Sequence, residues 1–187
     1  MGQTLAMRHL LLILLLSAPG FATAQACPPV EDRSAQSEKV LARIRAAPDE
    51  ASARLLTNAL WEIWAKAPDA AAQEMLDRGM QRRAAYDFEA AIAAFDELVA
   101  YCPGYAEGYN QRAFVNFLRE DYAVALEDLE RALELAPEHV AAMAGQALTL
   151  MSLGRVEAGQ SVLRKALKLH PWLPERRMLV EPPGEDL

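Results

Sequence analysis

Pro103, Pro137 and Pro171 recur at an interval of 34 residues, and that single spacing limits the chain to architectures built by repetition. Other positions keep the same register. Small residues return at Gly79, Ala113 and Ala147, and again at Ala91, Ala125 and Gly159. Bulky ones return at Phe88, Tyr122 and Val156, and at Phe95, Leu129 and Leu163. Small residues at matched places let two helices approach closely, while large ones fill the space between successive pairs. Proline lacks an N–H and disfavours helix at the residue before it, so each of the three closes a helix. One helix pair cannot bury its apolar face alone, so the pairs must stack. The expectation is an all-α fold.

Residues 72 to 173 resemble the tetratricopeptide repeat family, and "DYAVALEDLERALELAPEH", 121–139, carries its pattern most fully. The resemblance implies a right-handed superhelical stack of helix-turn-helix repeats, an α-solenoid, with repeats at 72–105, 106–139 and 140–173. The first repeat departs from the family, with Met75, Arg78 and Arg82 where Trp, Leu and Tyr are usual. Its first helix is therefore more polar than the family norm.

The flanks are read from helical periodicity. In "PDEASARLLTNALWEIWAKAPD", 48–69, Leu56, Leu60, Ile63 and Trp64 fall on one face, as in an amphipathic helix. It reads as the second helix of a degenerate repeat within an arm at 27–71, with a shorter helix over 34–47 before it. Residues 174–187 read as a short cap and a disordered tail. Two readings of that end stay open. Either Leu167, Trp172 and Leu179 form an exposed apolar end that homodimerises, or the short segment folds back and covers it.

At the other end, residues 1–26 place Arg8 and His9 before Leu10 to Leu16 and finish in Ala24-Gln25-Ala26. That is the pattern of a secretory signal cut after Ala26, and Met7 opens a complete signal of its own. The apolar run is too short for a transmembrane span, which needs about 20 residues. The expectation is export to the periplasm or beyond, with lipid anchoring through Cys27 as the rival reading. The chain carries 19 Lys and Arg against 26 Asp and Glu, a net charge of −7. Nucleic-acid binding, whose affinity comes chiefly from Lys and Arg on phosphates, is not expected.

The family resemblance implies a concave groove lined by the first helix of each repeat, taking a peptide or helix of another protein. Carried onto this chain, the groove slots fall on Leu76, Met80, Arg83, Asn110, Phe114, Phe117, Leu148 and Met151, a mostly apolar set suited to the helix-in-groove mode. The alternative is that the protein's own helix at 50–66 occupies the groove. Chaperone-tail-binding members of the family hold a terminal carboxylate with lysines and asparagines. Here no Lys lies between Lys66 and Lys165, which speaks against that activity.

Arg78, Arg82 and Arg112 are either a basic stripe for an acidic partner or one half of ion pairs with Asp77, Asp87 or Glu107. Cys27 and Cys102 are an even pair, and in an oxidising compartment they are expected to bridge. No phosphate-binding loop, metal-ligand spacing or nucleophile motif is present in the sequence, so neither enzyme activity nor a cofactor or metal is expected. The sequence thus points to an interaction module, an adaptor, scaffold or assembly factor of the cell envelope. A structural accessory that homodimerises with its groove self-filled is the alternative, and a chaperone-like holdase a third reading.

Overall fold

The computed structural model describes residues 26–180. Residues 1–25 of the proposed signal and all of the proposed tail, 181–187, lie outside them. Eight α-helices occur among the described residues: α1 (Ser34–Arg45), α2 (Glu50–Trp64), α3 (Ala70–Ala84), α4 (Phe88–Tyr101), α5 (Ala106–Leu118), α6 (Tyr122–Leu135), α7 (Val140–Ser152) and α8 (Val156–Leu169). A 3-10 turn at Pro174–Met178 follows.

Helix boundaries follow local chemistry. Asp49, Asp69 and Asp87 each accept the N–H three residues on, from Ser52, Ala72 and Ala90, which satisfies a donor the helix start would otherwise leave orphaned. The second helices stop at Cys102, Ala136 and His170, each directly before one of the periodic prolines. Within each pair the chain reverses through one left-handed residue: Tyr86 (φ 60°), Glu120 (φ 64°) and Gly154 (φ 76°). Only the third repeat uses the residue that adopts this conformation without a Cβ penalty.

The helices pack as successive pairs, α3 with α4, α5 with α6 and α7 with α8, joined through α4 to α5 and α6 to α7. The first helices α3, α5 and α7 also approach one another, and the second helices make no comparable approach. The first helices therefore line the inner face of an α-solenoid. Its first-repeat core holds Leu76, Phe95 and Leu98, all fully buried, each contributing about 1.5–3 kcal/mol.

The small and large slots interlock by size. A Cβ added at Gly79 would lie 2.3 Å from the Phe95 ring, whereas the other repeats set Ala113 with Leu129 and Ala147 with Leu163. Alanine at Gly79 would gain about 1 kcal/mol of helix propensity, but overpacking a full core costs about 1–3 kcal/mol. The clash should win while Phe95 is present. Gly79→Ala is thus expected to destabilise the native chain and to stabilise the Phe95→Leu variant. A double-mutant cycle from denaturant unfolding reads this directly; additive effects would show that the two slots are independent.

The amino-terminal helices differ from the expectation of a degenerate repeat stacked before α3. α1 and α2 form a hairpin whose Leu41, Ile44, Leu56, Leu60 and Trp64 cluster with Val140, Leu169 and Trp172 of the last repeat. α2 runs along the edge where second helices end and first helices begin. At its start Glu50 pairs with Arg176 at 2.7 Å, and midway Thr57 meets His170 at 2.8 Å. At its end the Trp64 carbonyl accepts the Tyr105 hydroxyl at 2.6 Å. The physical reason is that a periodic apolar face specifies burial but not the surface that buries it. Thr57 Oγ1 already donates to the Ala53 carbonyl, so His170 Nε2 is the donor to Thr57. Burial then pushes the His170 pKa down, with Arg176 adding to the effect.

The carboxy-terminal segment folds back onto α8. Gln160 donates to the Met178 carbonyl and accepts from the Val180 N–H, both at 2.8 Å. Leu173 is buried, and Leu167 and Trp172 are half-buried, so they do not form an open apolar end; Leu179 stays exposed. Among the described residues no helix is long and apolar enough to cross a membrane.

Candidate functional site

The residues nominated for the groove divide by what they touch. Leu76 is fully buried in the first-repeat core, because its helix turns that position toward Phe95 and Leu98. Asn110 is also buried, where its amide donates to Glu107 at 3.1 Å. Met151 packs over Gly159 and receives the Gln160 amide at 3.2 Å, so it faces its own partner helix. Those three are corrected to structural roles. Met80 is half-buried against the first core and Phe117 against the second, the latter with its ring 5.3 Å from Tyr122. Leu148 is half-buried on α7.

What remains open is centred on α5. Phe114 is 46% exposed and Leu118, one turn on, is 43% exposed. Across from them on α3, the Arg83 guanidinium lies 4.8 Å from the Phe114 ring centroid and donates to the Gln111 side-chain carbonyl. Leu118 escaped the sequence reading because only the family slots were carried over; its i+4 spacing from Phe114 was the available signal.

Behind this surface runs a buried polar chain. Glu107, 1% exposed, accepts from Asn110, from Gln111 and from His139 Nε2 at 2.8 Å. His139 Nδ1 accepts the Ala142 N–H at 3.2 Å and so caps α7. That acceptor role places the imidazole proton on Nε2, where it meets the carboxylate. The Trp64 ring stacks on His139 with centroids 3.9 Å apart. The hairpin therefore closes over the amino-terminal ends of α5 and α7 and leaves Phe114 and Leu118 uncovered.

The arginine stripe is neutralised. Arg78 pairs with Glu97, Arg82 with Asp87 at 3.3 Å, and Arg112 with Asp96 at 2.7 Å and Asp128 at 2.6 Å. Of the partners named from sequence only Asp87 takes part; Glu107 is in the buried chain and Asp77 accepts from Gln73. The hydrogen bond to Asp128 and the flanking carboxylates raise the Arg112 pKa further above its ordinary value. Arg112 ties three second-helix and first-helix surfaces together and offers no free charge to a partner.

A disulfide joins Cys27 to Cys102, with Cα atoms 5.2 Å apart. It tethers the arm ahead of α1 to the end of α4. Among the described residues no group of three or more His, Cys, Asp or Glu is placed to hold a metal.

Comparison with known proteins agrees with this architecture. The family profile described as tetratricopeptide repeat matches residues 117–180. A tetratricopeptide repeat-containing protein of Rhizobium etli is 33% identical over 82 residues, covering 44% of this chain and 40% of its own length. The tetratricopeptide repeat protein 36 homolog of Nematostella vectensis is 42% identical over 73 residues, covering 39% of this chain and 40% of its own. The chain thus spans under half the length of these curated relatives. Among solved structures, the TPR2B domain of yeast Sti1 in complex with pHsp70 has a TM-score of 0.55 at 21% identity, covering 59% of this chain and 90% of that one. Over residues 117–180 this chain, whose second helices begin at Phe88, Tyr122 and Val156, thus matches the tetratricopeptide repeat profile, and its solved neighbours share the same helical fold.

Proposed function

We propose that this chain is an exported protein-interaction module that takes a peptide or helix of another envelope protein on the uncovered part of its inner face. One observation carries the reading: Phe114 and Leu118 stay exposed on α5 although the protein's own hairpin covers the start of that helix. Two apolar side chains one turn apart, with Leu148 half-buried on the next first helix, suit an amphipathic segment laid across the first helices. The yeast Sti1 domain, solved as a complex with pHsp70, supports the reading by analogy of fold alone. Export is supported by the amino-terminal signal pattern together with the Cys27–Cys102 bridge, since such bridges persist in oxidising compartments.

The test is affinity capture from the native envelope with the wild-type chain and a Phe114→Asp, Leu118→Ser variant of equal helicity. A protein retained by the first and lost by the second is the expected result. Equal capture by both, or none by either, would remove the inner face from consideration. The second reading, a homodimerising accessory, is favoured by exposed Met178, Leu179 and Val180. Sedimentation would then show a concentration-dependent mass that a Leu179→Ser variant loses.

A further inference from the structure

Among the arginines of the first two repeats, Arg83 stands apart. Arg78, Arg82, Arg112 and Arg119 each have a carboxylate in contact. Arg83 has none among the described residues; its hydrogen-bond partner is the neutral Gln111 amide, and one face is covered by Phe114. Glu107 stands one amide further back, and its charge only partly offsets the burial that pushes the Arg83 pKa down. A guanidinium carries five N–H donors in a planar fork. None of the Arg83 nitrogens is both buried and without a partner, so the donors not used by Gln111 open to solvent beside Phe114.

We propose that the segment bound on this face carries an Asp or Glu side chain within one helical turn of its apolar anchor, the anchor resting on Phe114 and Leu118 and the carboxylate pairing with Arg83. This inference rests on the proposed function and specifies its ligand. An arginine already stacked on an aromatic ring is held for a planar carboxylate, and such a pair is stronger than a neutral hydrogen bond. The chain as a whole is acidic, at −7, so its overall field repels an acidic segment. Recognition must then come from the local register of acid and anchor, and a peptide of equal charge in scrambled order should not bind.

The probe is a phage-displayed dodecapeptide library panned against the full chain, expressed with its own amino-terminal segment and with the bridge formed. Wild type should enrich sequences with an acid one to four residues from a bulky apolar residue. The best of them, made as a carboxy-terminal amide, should bind about tenfold more weakly when its acid is changed to the amide, in line with loss of one charge-assisted pair. In Arg83→Met that change should have no effect, and Arg83→Lys should keep a preference for the acid; both variants are checked for the wild-type unfolding midpoint. Enrichment of apolar sequences without an acid, or an acid preference that survives in Arg83→Met, would overturn this inference and leave the proposed function standing. Tighter binding of a peptide whose only acid is its chain terminus would overturn the side-chain assignment. Failure to enrich any sequence lost by Phe114→Asp would remove both.

Discussion

Glu107→Ala is expected to lower the unfolding free energy by about 3–5 kcal/mol, because it leaves several buried hydrogen-bond donors without their acceptor. The carboxylate is 1% exposed and receives three side-chain donors from two helices, Asn110 and Gln111 on α5 and His139 at the cap of α7. Truncation strands all three. His139 cannot turn to another partner, because Nδ1 is committed to the Ala142 N–H and its face to Trp64. The carbon atoms removed are a minor part of the loss, since unsatisfied buried donors cost about 1–3 kcal/mol each and relaxation recovers some of that. Glu107→Gln keeps the shape and one acceptor, and should cost no more than about 2 kcal/mol. Denaturant unfolding followed by tryptophan emission reports both, because Trp64 lies on the network. An alanine variant as stable as the glutamine one would mean that the three donors find water or other partners, and that the chain from Gln111 to Trp64 is not a unit.

How much of this was legible in sequence depends on whether a residue's partner is set by the repeat. The prolines, the small and large slots and the family resemblance gave the helix pairs, because every repeat solves the same packing problem with the same spacing. The hairpin was misplaced because Leu56, Leu60 and Trp64 have the same helical period whether they stack before α3 or cross to Val140 and Leu169. Period reports that a face is buried and is silent on what buries it. Read from the sequence, Glu107 is only an ion-pair partner for the arginines, and His139 carries no signal beyond its place two residues after Pro137. They lie 32 residues apart, close to one repeat, so they meet where one first helix begins beside the next. The arginine pairs were within reach: Arg112 lies 16 residues from both Asp96 and Asp128, the offset that brings a first helix against the second helices on either side. Applied to the groove slots, the family pattern fixed which helices face inward but not how deep each side chain sits. Leu76 and Asn110 went into the core while Phe114 stayed out.

Removing the Cys27–Cys102 bridge is expected to lower the unfolding free energy by up to about 4.5 kcal/mol without releasing the hairpin. The magnitude follows from the loop that the bridge closes, a separation of 75 residues, which constrains the unfolded ensemble on the chain-entropy model. The second half of the prediction follows from what holds the hairpin in the native state. Leu41, Ile44 and Leu60 are fully buried in a cluster shared with Val140, each contributing about 1.5–3 kcal/mol. The contacts from Tyr105 to Trp64, Thr57 to His170 and Arg176 to Glu50 add polar anchors along its whole length. None of these involves the sulfur atoms, so reduction removes a constraint on the unfolded chain and leaves the native seat in place. A Cys27→Ser, Cys102→Ala variant suits the test, alanine being the better choice at the fully buried Cys102, where a hydroxyl would need a partner. Its native tryptophan emission should match wild type while its unfolding midpoint falls. Amide protection lost only over residues 34–64, with a shifted emission before any denaturant is added, would show instead that the bridge is what keeps the hairpin on the solenoid. In that case the inner face could be opened by reduction, because the cover over Glu107 and His139 would leave with the hairpin.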